Sequence, residues 1–162
     1  MGDWNRTTRN ITMDQIRPEM TEAIRTHLDS FNLGPILSDP LICIETTSTK
    51  KKKGLFGGGG DQQVINVDIV TPHWLMLVTR GDKTSSAIAH TIQFKDSHIT
   101  DYKDSPSYKL IQDVGVDITG IFTGVIGLNN EQRVSMFIPL GDEPAANEFK
   151  HILFEQFNKS RL

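Results

Sequence analysis

Apolar positions recur along this chain first at helical and then at alternating spacing, and the change of period divides it. Ile16, Met20, Ile24, Leu28 and Phe31 repeat every three or four residues until Gly34 and Pro35 stop the run. This predicts an amphipathic helix over residues 18–31 that begins at Pro18, where a proline is tolerated, and docks on the same domain or a partner. Thr12 followed by Gln15 resembles a capping box just before it. Residues 1–11 are polar and unpatterned and are expected to form a disordered or loosely attached arm. Arm and helix make a first part, residues 1–34, and residues 35–162 a second.

After Pro40 the period falls to two. Residues 41–49 and 61–71 predict two strands of a long hairpin, with Ile65, Val67 and Ile69 on one face of the second and Asn66 and Asp68 on the other. Residues 74–80 are apolar on both faces, as in a strand covered on both sides. Residues 86–95 alternate again and place Ile88, His90, Ile92 and Phe94 together, which puts His90 inward as a core residue rather than a catalyst. Short extended pieces follow at 99–103 and 108–112, separated by a polar loop. The longest extended candidate is 114–128, with Val116, Ile118, Phe122, Ile126 and Leu128 on one face and Asp117, Thr119 and Thr123 on the other. Its glycines at 120, 124 and 127 imply strong bending, as in a small closed or nearly closed sheet. Asn129 and Asn130 form a tight turn, and 133–140 returns with Val134, Met136 and Ile138 alternating. Residues 142–159 predict a closing helix with Asp142 as N-cap and Ala146, Phe149, Leu153 and Phe157 as its apolar stripe. The expected fold is mainly β with α: about seven antiparallel strands in a small barrel or sandwich, capped by a C-terminal helix and preceded by an N-terminal one.

Residues 50–60 break this alternation. Lys50, Lys51, Lys52 and Lys53 must be solvated, Leu55 and Phe56 form an apolar pair, and the four glycines at 57–60 have too much backbone freedom to lose in a core strand. The stretch is expected to be a long hairpin tip. Either it only connects two strands, or Lys50–Lys53 with Leu55 and Phe56 are the contact site for a ligand or membrane.

Composition narrows the function. A net charge of −3 argues against a general nucleic-acid binder, since only one basic cluster is visible. The single cysteine, Cys43, lies in an apolar run, so an internal disulfide and a cluster of Cys ligands are excluded and a reducing compartment is expected. Without an apolar run of about 18 residues or a hydrophobic signal region near Met1, the expected location is cytoplasmic. The five histidines are scattered, no Gly-x-Ser-x-Gly motif occurs, and the glycine run lacks the spacing of a phosphate loop. Asp113 and Asp117 around Gly115 lack the further ligands of a calcium loop. No enzyme activity, cofactor or metal is expected.

The order of elements, seven extended segments and then one amphipathic helix, resembles a pleckstrin-homology-like domain. The stretches at 70–80, 89–94 and 97–100 look like those of bacterial and GRAM-type members, in which a Thr-containing turn precedes an apolar strand and the next strand runs into a Ser-x-Ile pair. The resemblance covers about residues 41–157. It implies a noncatalytic binding or scaffold module that binds a protein or another copy of itself. The alternative it implies is peripheral contact with an anionic membrane surface through residues 50–60, since lipid-binding members carry basic residues in the first hairpin loop. Specific phosphoinositide binders place a Lys on the first strand and an Arg-containing pair on the second. Here the lysines are bunched and no Arg stands between Arg25 and Arg80, which leaves only general attraction to anionic lipid.

Overall fold

A computed structural model describes residues 3–51, 60–84, 86–125 and 132–162. Eight strands form two antiparallel sheets. The larger has β1 (Trp4–Asn10), β2 (Ile42–Lys50), β3 (Gln63–Val70), β4 (Trp74–Gly81) and β5 (Ile88–Gln93), paired in chain order. The smaller has β6 (Ser97–Asp101), β7 (Gly115–Gly120) and β8 (Val134–Pro139). Helix α1 (Pro18–Ser30) connects β1 to β2, and α2 (Pro144–Lys159) follows β8.

The five-stranded sheet is covered on both faces, which explains why β3 and β4 are apolar at consecutive positions. On one face Val67, Ile69, Met76 and Val78 pack under Met20 and Ile24 of α1. On the other, Ile44, Leu75 and Ile92 meet Val116, Ile118 and Ile138 of the smaller sheet and Phe149 and Leu153 of α2. The result is a sandwich. The barrel alternative is not realised: between the sheets the described residues give one isolated bridge, where Thr91 and Thr123 exchange backbone hydrogen bonds at 3.2 and 2.8 Å.

Both helices sit where their stripes predict, with prolines in the first turn; the N-cap of α2 is Glu143 rather than Asp142. Gln15 Oε1 accepts the Thr12 N–H at 2.9 Å, the half of a capping box that the sequence announced, around a short 3₁₀ turn. Three expectations are corrected. The arm expected to be loose is β1, an edge strand paired with β2 from Trp4↔Lys50 to Asn10↔Ile44. It lacks an apolar stripe because only Thr8 is fully buried, and that residue is held by hydrogen bonds. The strand expected at 108–112 is replaced by a 3₁₀ turn, Pro106–Lys109, after which Leu110 and Ile111 face solvent. The long strand expected over 114–128 is regular only over Gly115–Gly120; Phe122 still reaches the core, while Ile126, Leu128 and the Asn129–Asn130 turn lie outside the described residues.

His90 is half-buried rather than sealed in the core, and burial lowers its pKa. The buried histidine is His27 of α1, whose Nε2 lies 2.8 Å from Thr91 Oγ1. Burial, followed by the nearby His90, lowers its pKa as well. Gly124, at φ 97°, lets the backbone pass over this ring, where a Cβ would stand 2.7 Å from His27 Cε1. Cys43 is buried, its thiol pushed up to about 12 by burial, then by Asp68 and Glu45.

Asp68 is the unusual core residue. It lies between Ile44 and Leu77 across the sheet, its Oδ2 has no hydrogen-bond partner, and burial pushes its pKa up to about 8. The folded value exceeds the ordinary one of about 3.9, so the group costs nothing below about pH 4, where both states hold the proton. As pH rises toward 8 the unfolded chain releases that proton first, and stability falls by at most about 1.4 kcal/mol per pH unit. Asp68→Asn should therefore gain stability relative to the parent as pH rises from about 4 to about 8. Urea unfolding of both proteins at several pH values checks this; a difference that does not change with pH would contradict it.

Candidate functional site

The hairpin of β2 and β3 carries the expected contact residues. Its ladder continues past the strand ends, with the Lys50 N–H donating to the Gln62 carbonyl and the Lys51 N–H to the Asp3 carbonyl, each at 2.8 Å. Lys50 is exposed and Lys51 half-exposed. Lys52, Lys53, Leu55 and Phe56 lie outside the described residues.

Beside this hairpin base, Lys51 shares a small depression with Trp4, Asp113 and Val114. Trp4, Arg6 and Asp113 also line a much larger open groove of about 1040 Å³. The floor of that groove is the outer face of the smaller sheet. Alternation on β7 sends Val116 and Ile118 into the core and Asp117 and Thr119 outward, and the register aligns His98, Thr119 and Ser135 in one row and Thr100, Asp117 and Phe137 in the next. Thr119 and Ser135 hydroxyls are 2.7 Å apart. The floor thus presents hydroxyls, an imidazole, a carboxylate and one aromatic ring.

Two aromatic side chains, Tyr102 and Phe137, line the groove side by side. Tyr102 and Phe137 rings are 4.7 Å apart, Tyr108 lies edge-on 5.9 Å from Tyr102, and the Tyr102 hydroxyl donates to the Ile111 carbonyl at 2.9 Å. Burial raises the Tyr102 pKa, with Asp117 and Asp113 adding to the effect. Arg6 lines the groove beside Phe137: its guanidinium pairs with Asp113, donates to Ser48 Oγ at 3.3 Å and lies 5.5 Å from the Phe137 ring centroid. The Arg6 and Asp113 side chains are only 10% and 14% exposed, so the pair stiffens the groove and leaves little charge to offer a ligand.

Next to the groove the chain shows apolar surface. Leu110 is 88% exposed, Ile111 62% and Val114 49%. Ile111 borders the groove and Val114 the depression that Lys51 enters. The structure therefore brings Lys51 together with Trp4 and Val114, a neighbourhood that sequence reading missed. Trp4 was assigned to an arm and Val114 to a strand, and only the contrast of an apolar Leu-Ile pair beside a Ser-Pro-Ser turn could have hinted at it. The groove floor was missed for a different reason: Asp117 and Thr119 read as an ordinary solvated strand face.

Comparison with protein-family models, with curated proteins and with solved structures finds no match for this chain. Among the described residues no three His, Cys, Asp or Glu side chains gather as a metal site, and no helix is long and apolar enough to cross a membrane.

Because Arg6 and Asp113 are largely buried together, Arg6→Ala should destabilise the protein by roughly 3 kcal/mol, since Asp113 keeps a desolvated charge without its partner. Adding Asp113→Ala should recover part of the loss. Denaturant titrations of the single and double variants measure this; strictly additive losses would contradict the coupling.

Proposed function

We propose that this chain is a noncatalytic pleckstrin-homology-like binding or scaffold module that holds an extended protein segment, from a partner or another copy of itself, in the groove over the smaller sheet. One thing supports the family reading. Strands β2 to β8 followed by α2 give seven antiparallel strands and a closing helix, the order of elements in that superfamily. In this reading β1 and α1 are additions at the N-terminal side.

The observation that carries the binding reading is the groove itself. A floor of hydroxyls, one imidazole and one carboxylate beside the Tyr102 and Phe137 rings offers hydrogen bonds to a peptide backbone and stacking surface to its side chains. Catalysis has no comparable support: Ser135 and Thr119 are bonded to each other, and His98 in the groove has neither as a hydrogen-bonded nucleophile. Selection from a displayed library of extended peptides tests the reading, followed by chemical-shift mapping of one selected peptide. Shifts should centre on Thr100, Thr119, Ser135 and Phe137, and Thr119→Arg should abolish binding while leaving the fold intact. Peptides that map elsewhere, or no selectable peptide at all, would sink the proposal.

Peripheral contact with an anionic membrane is a second reading, carried by the exposed Leu110, Ile111 and Val114, the last of which shares a depression with Lys51. Each lysine near an anionic surface contributes about 1 kcal/mol and each buried apolar side chain up to about 2 kcal/mol. On this reading the protein sediments with vesicles rich in anionic lipid and not with neutral ones. Adding salt weakens that association, and Leu110→Ser with Ile111→Ser weakens what salt leaves. Equal, negligible sedimentation with both kinds of vesicle would remove it.

A further inference from the structure

On the groove floor, Asp117 stands in register between Thr100 of β6 and Phe137 of β8. Two nearby carboxylates are engaged, Asp101 with Lys150 and Asp113 with Arg6. Asp117 is half-buried and in no ion pair among the described residues. It has aromatic company: Phe137 is its cross-strand neighbour, and the Phe137 ring lies 4.7 Å from that of Tyr102. Burial raises the Tyr102 pKa and Asp117, then Asp113, add to the rise, so both carboxylates stand near that phenol. A second polar group of the groove lacks a partner. Ser105 lines it and is only 8% exposed, and its Oγ makes no hydrogen bond. A buried hydroxyl left unbonded in a folded protein is the kind of group that a ligand satisfies.

We infer that the groove recognises an arginine on an extended segment of a partner protein, its guanidinium set against Asp117 beside the Tyr102 and Phe137 rings. This rests on the reading of the groove as a protein-binding surface and names the side chain it selects. The groove already holds one arrangement of this kind, since the Arg6 guanidinium pairs with Asp113 and lies 5.5 Å from the Phe137 ring centroid. A planar guanidinium suits a carboxylate beside rings, because its edge donates paired hydrogen bonds while its face stacks; an ammonium has no flat face to offer. Asp3 and Asp104 line the same groove, are exposed and are in no ion pair among the described residues, which favours the approach of a cationic segment. A second copy of this chain is a poor source of that arginine. Arg6, Arg9, Arg17, Arg25, Arg80 and Arg161 are each bonded within their own fold, which leaves Arg133 alone.

Titration of the intact protein with N-acetyl-arginine methylamide, read by amide chemical shifts, tests the inference. The lysine analogue and the citrulline analogue, a neutral near-isostere of arginine, are the comparisons. Arginine should shift the amides of Thr100, Asp117 and Phe137 and bind roughly tenfold more tightly than citrulline, with lysine between them. Asp117→Asn, shown to be folded by circular dichroism, should erase the difference between arginine and citrulline; should that variant not fold, the comparison on the parent protein decides. No shift with arginine, equal binding of lysine or citrulline, or a preference that survives in folded Asp117→Asn would each overturn the inference. A selected peptide that maps to the groove and binds as well with citrulline in place of arginine overturns it and leaves the groove a protein-binding surface. Arginine shifts centred on Asp117 in a protein that selects no peptide support the guanidinium site and overturn the extended-segment reading. A parent dimer that Arg133→Gln dissolves would give the groove to a second copy and overturn the choice of a partner protein.

Discussion

Strand β1 is the constraint on which the rest of the molecule depends. It is a polar edge strand, and an uncovered edge invites pairing with other chains. Here its free side is closed by the turn that leads into α2: the Thr8 N–H donates to Glu143 Oε2 and the Thr8 hydroxyl accepts from the Gly141 N–H, both at 2.9 Å. That hydroxyl also lies 2.9 Å from Thr46 Oγ1 on β2. Two residues earlier Arg6 reaches across to Asp113 and Phe137 of the smaller sheet. One short strand thus fixes where α2 starts and holds the two sheets at one side, which gives the groove a rigid wall.

The opposite end of α2 is tied just as locally. Arg161 stacks 4.5 Å over the Phe157 ring and donates to the carbonyls of Phe94, Lys95 and Ser97 at the entrance to β6. A helix anchored at both ends over the core leaves the outer face of the smaller sheet as the uncovered concave surface that the groove occupies. On the α1 side, charge is handled by pairing: buried Glu45 accepts from Arg9 at 2.8 Å and Arg17 at 3.1 Å, which joins β1, β2 and the start of α1. Asp68 is in no ion pair among the described residues, its Oδ2 has no hydrogen-bond partner, and burial pushes its pKa up to about 8, which favours the neutral form.

Period was legible from sequence where one face of an element is buried. The stripe of Ile16, Met20, Ile24 and Leu28, the alternation of Ile65, Val67 and Ile69, and the stripe of Ala146, Phe149 and Leu153 each placed an element within a few residues of its observed bounds. What period could not reveal was an element held by polar contacts. Residues 4–10 have no apolar repeat, yet register with β2 and the side chains of Arg6 and Thr8 make them a strand. Likewise Leu110 and Ile111 looked like strand residues because apolar side chains are read as buried, although both are largely exposed. The groove needed three strands in register, and register is set by pairing partners far apart in the chain. The lysine run was conspicuous in sequence, but its neighbours Trp4 and Val114 could be found only in three dimensions.

Amide hydrogen exchange of the intact protein, read residue by residue, tests the central role of β1 most directly. If β1 closes the sheet edge and braces the groove, amides bonded in the β1–β2 ladder and the Thr8 amide should exchange nearly as slowly as those of β2 and β3. Exchange of residues 4–10 at the rate of an unstructured segment would contradict the account.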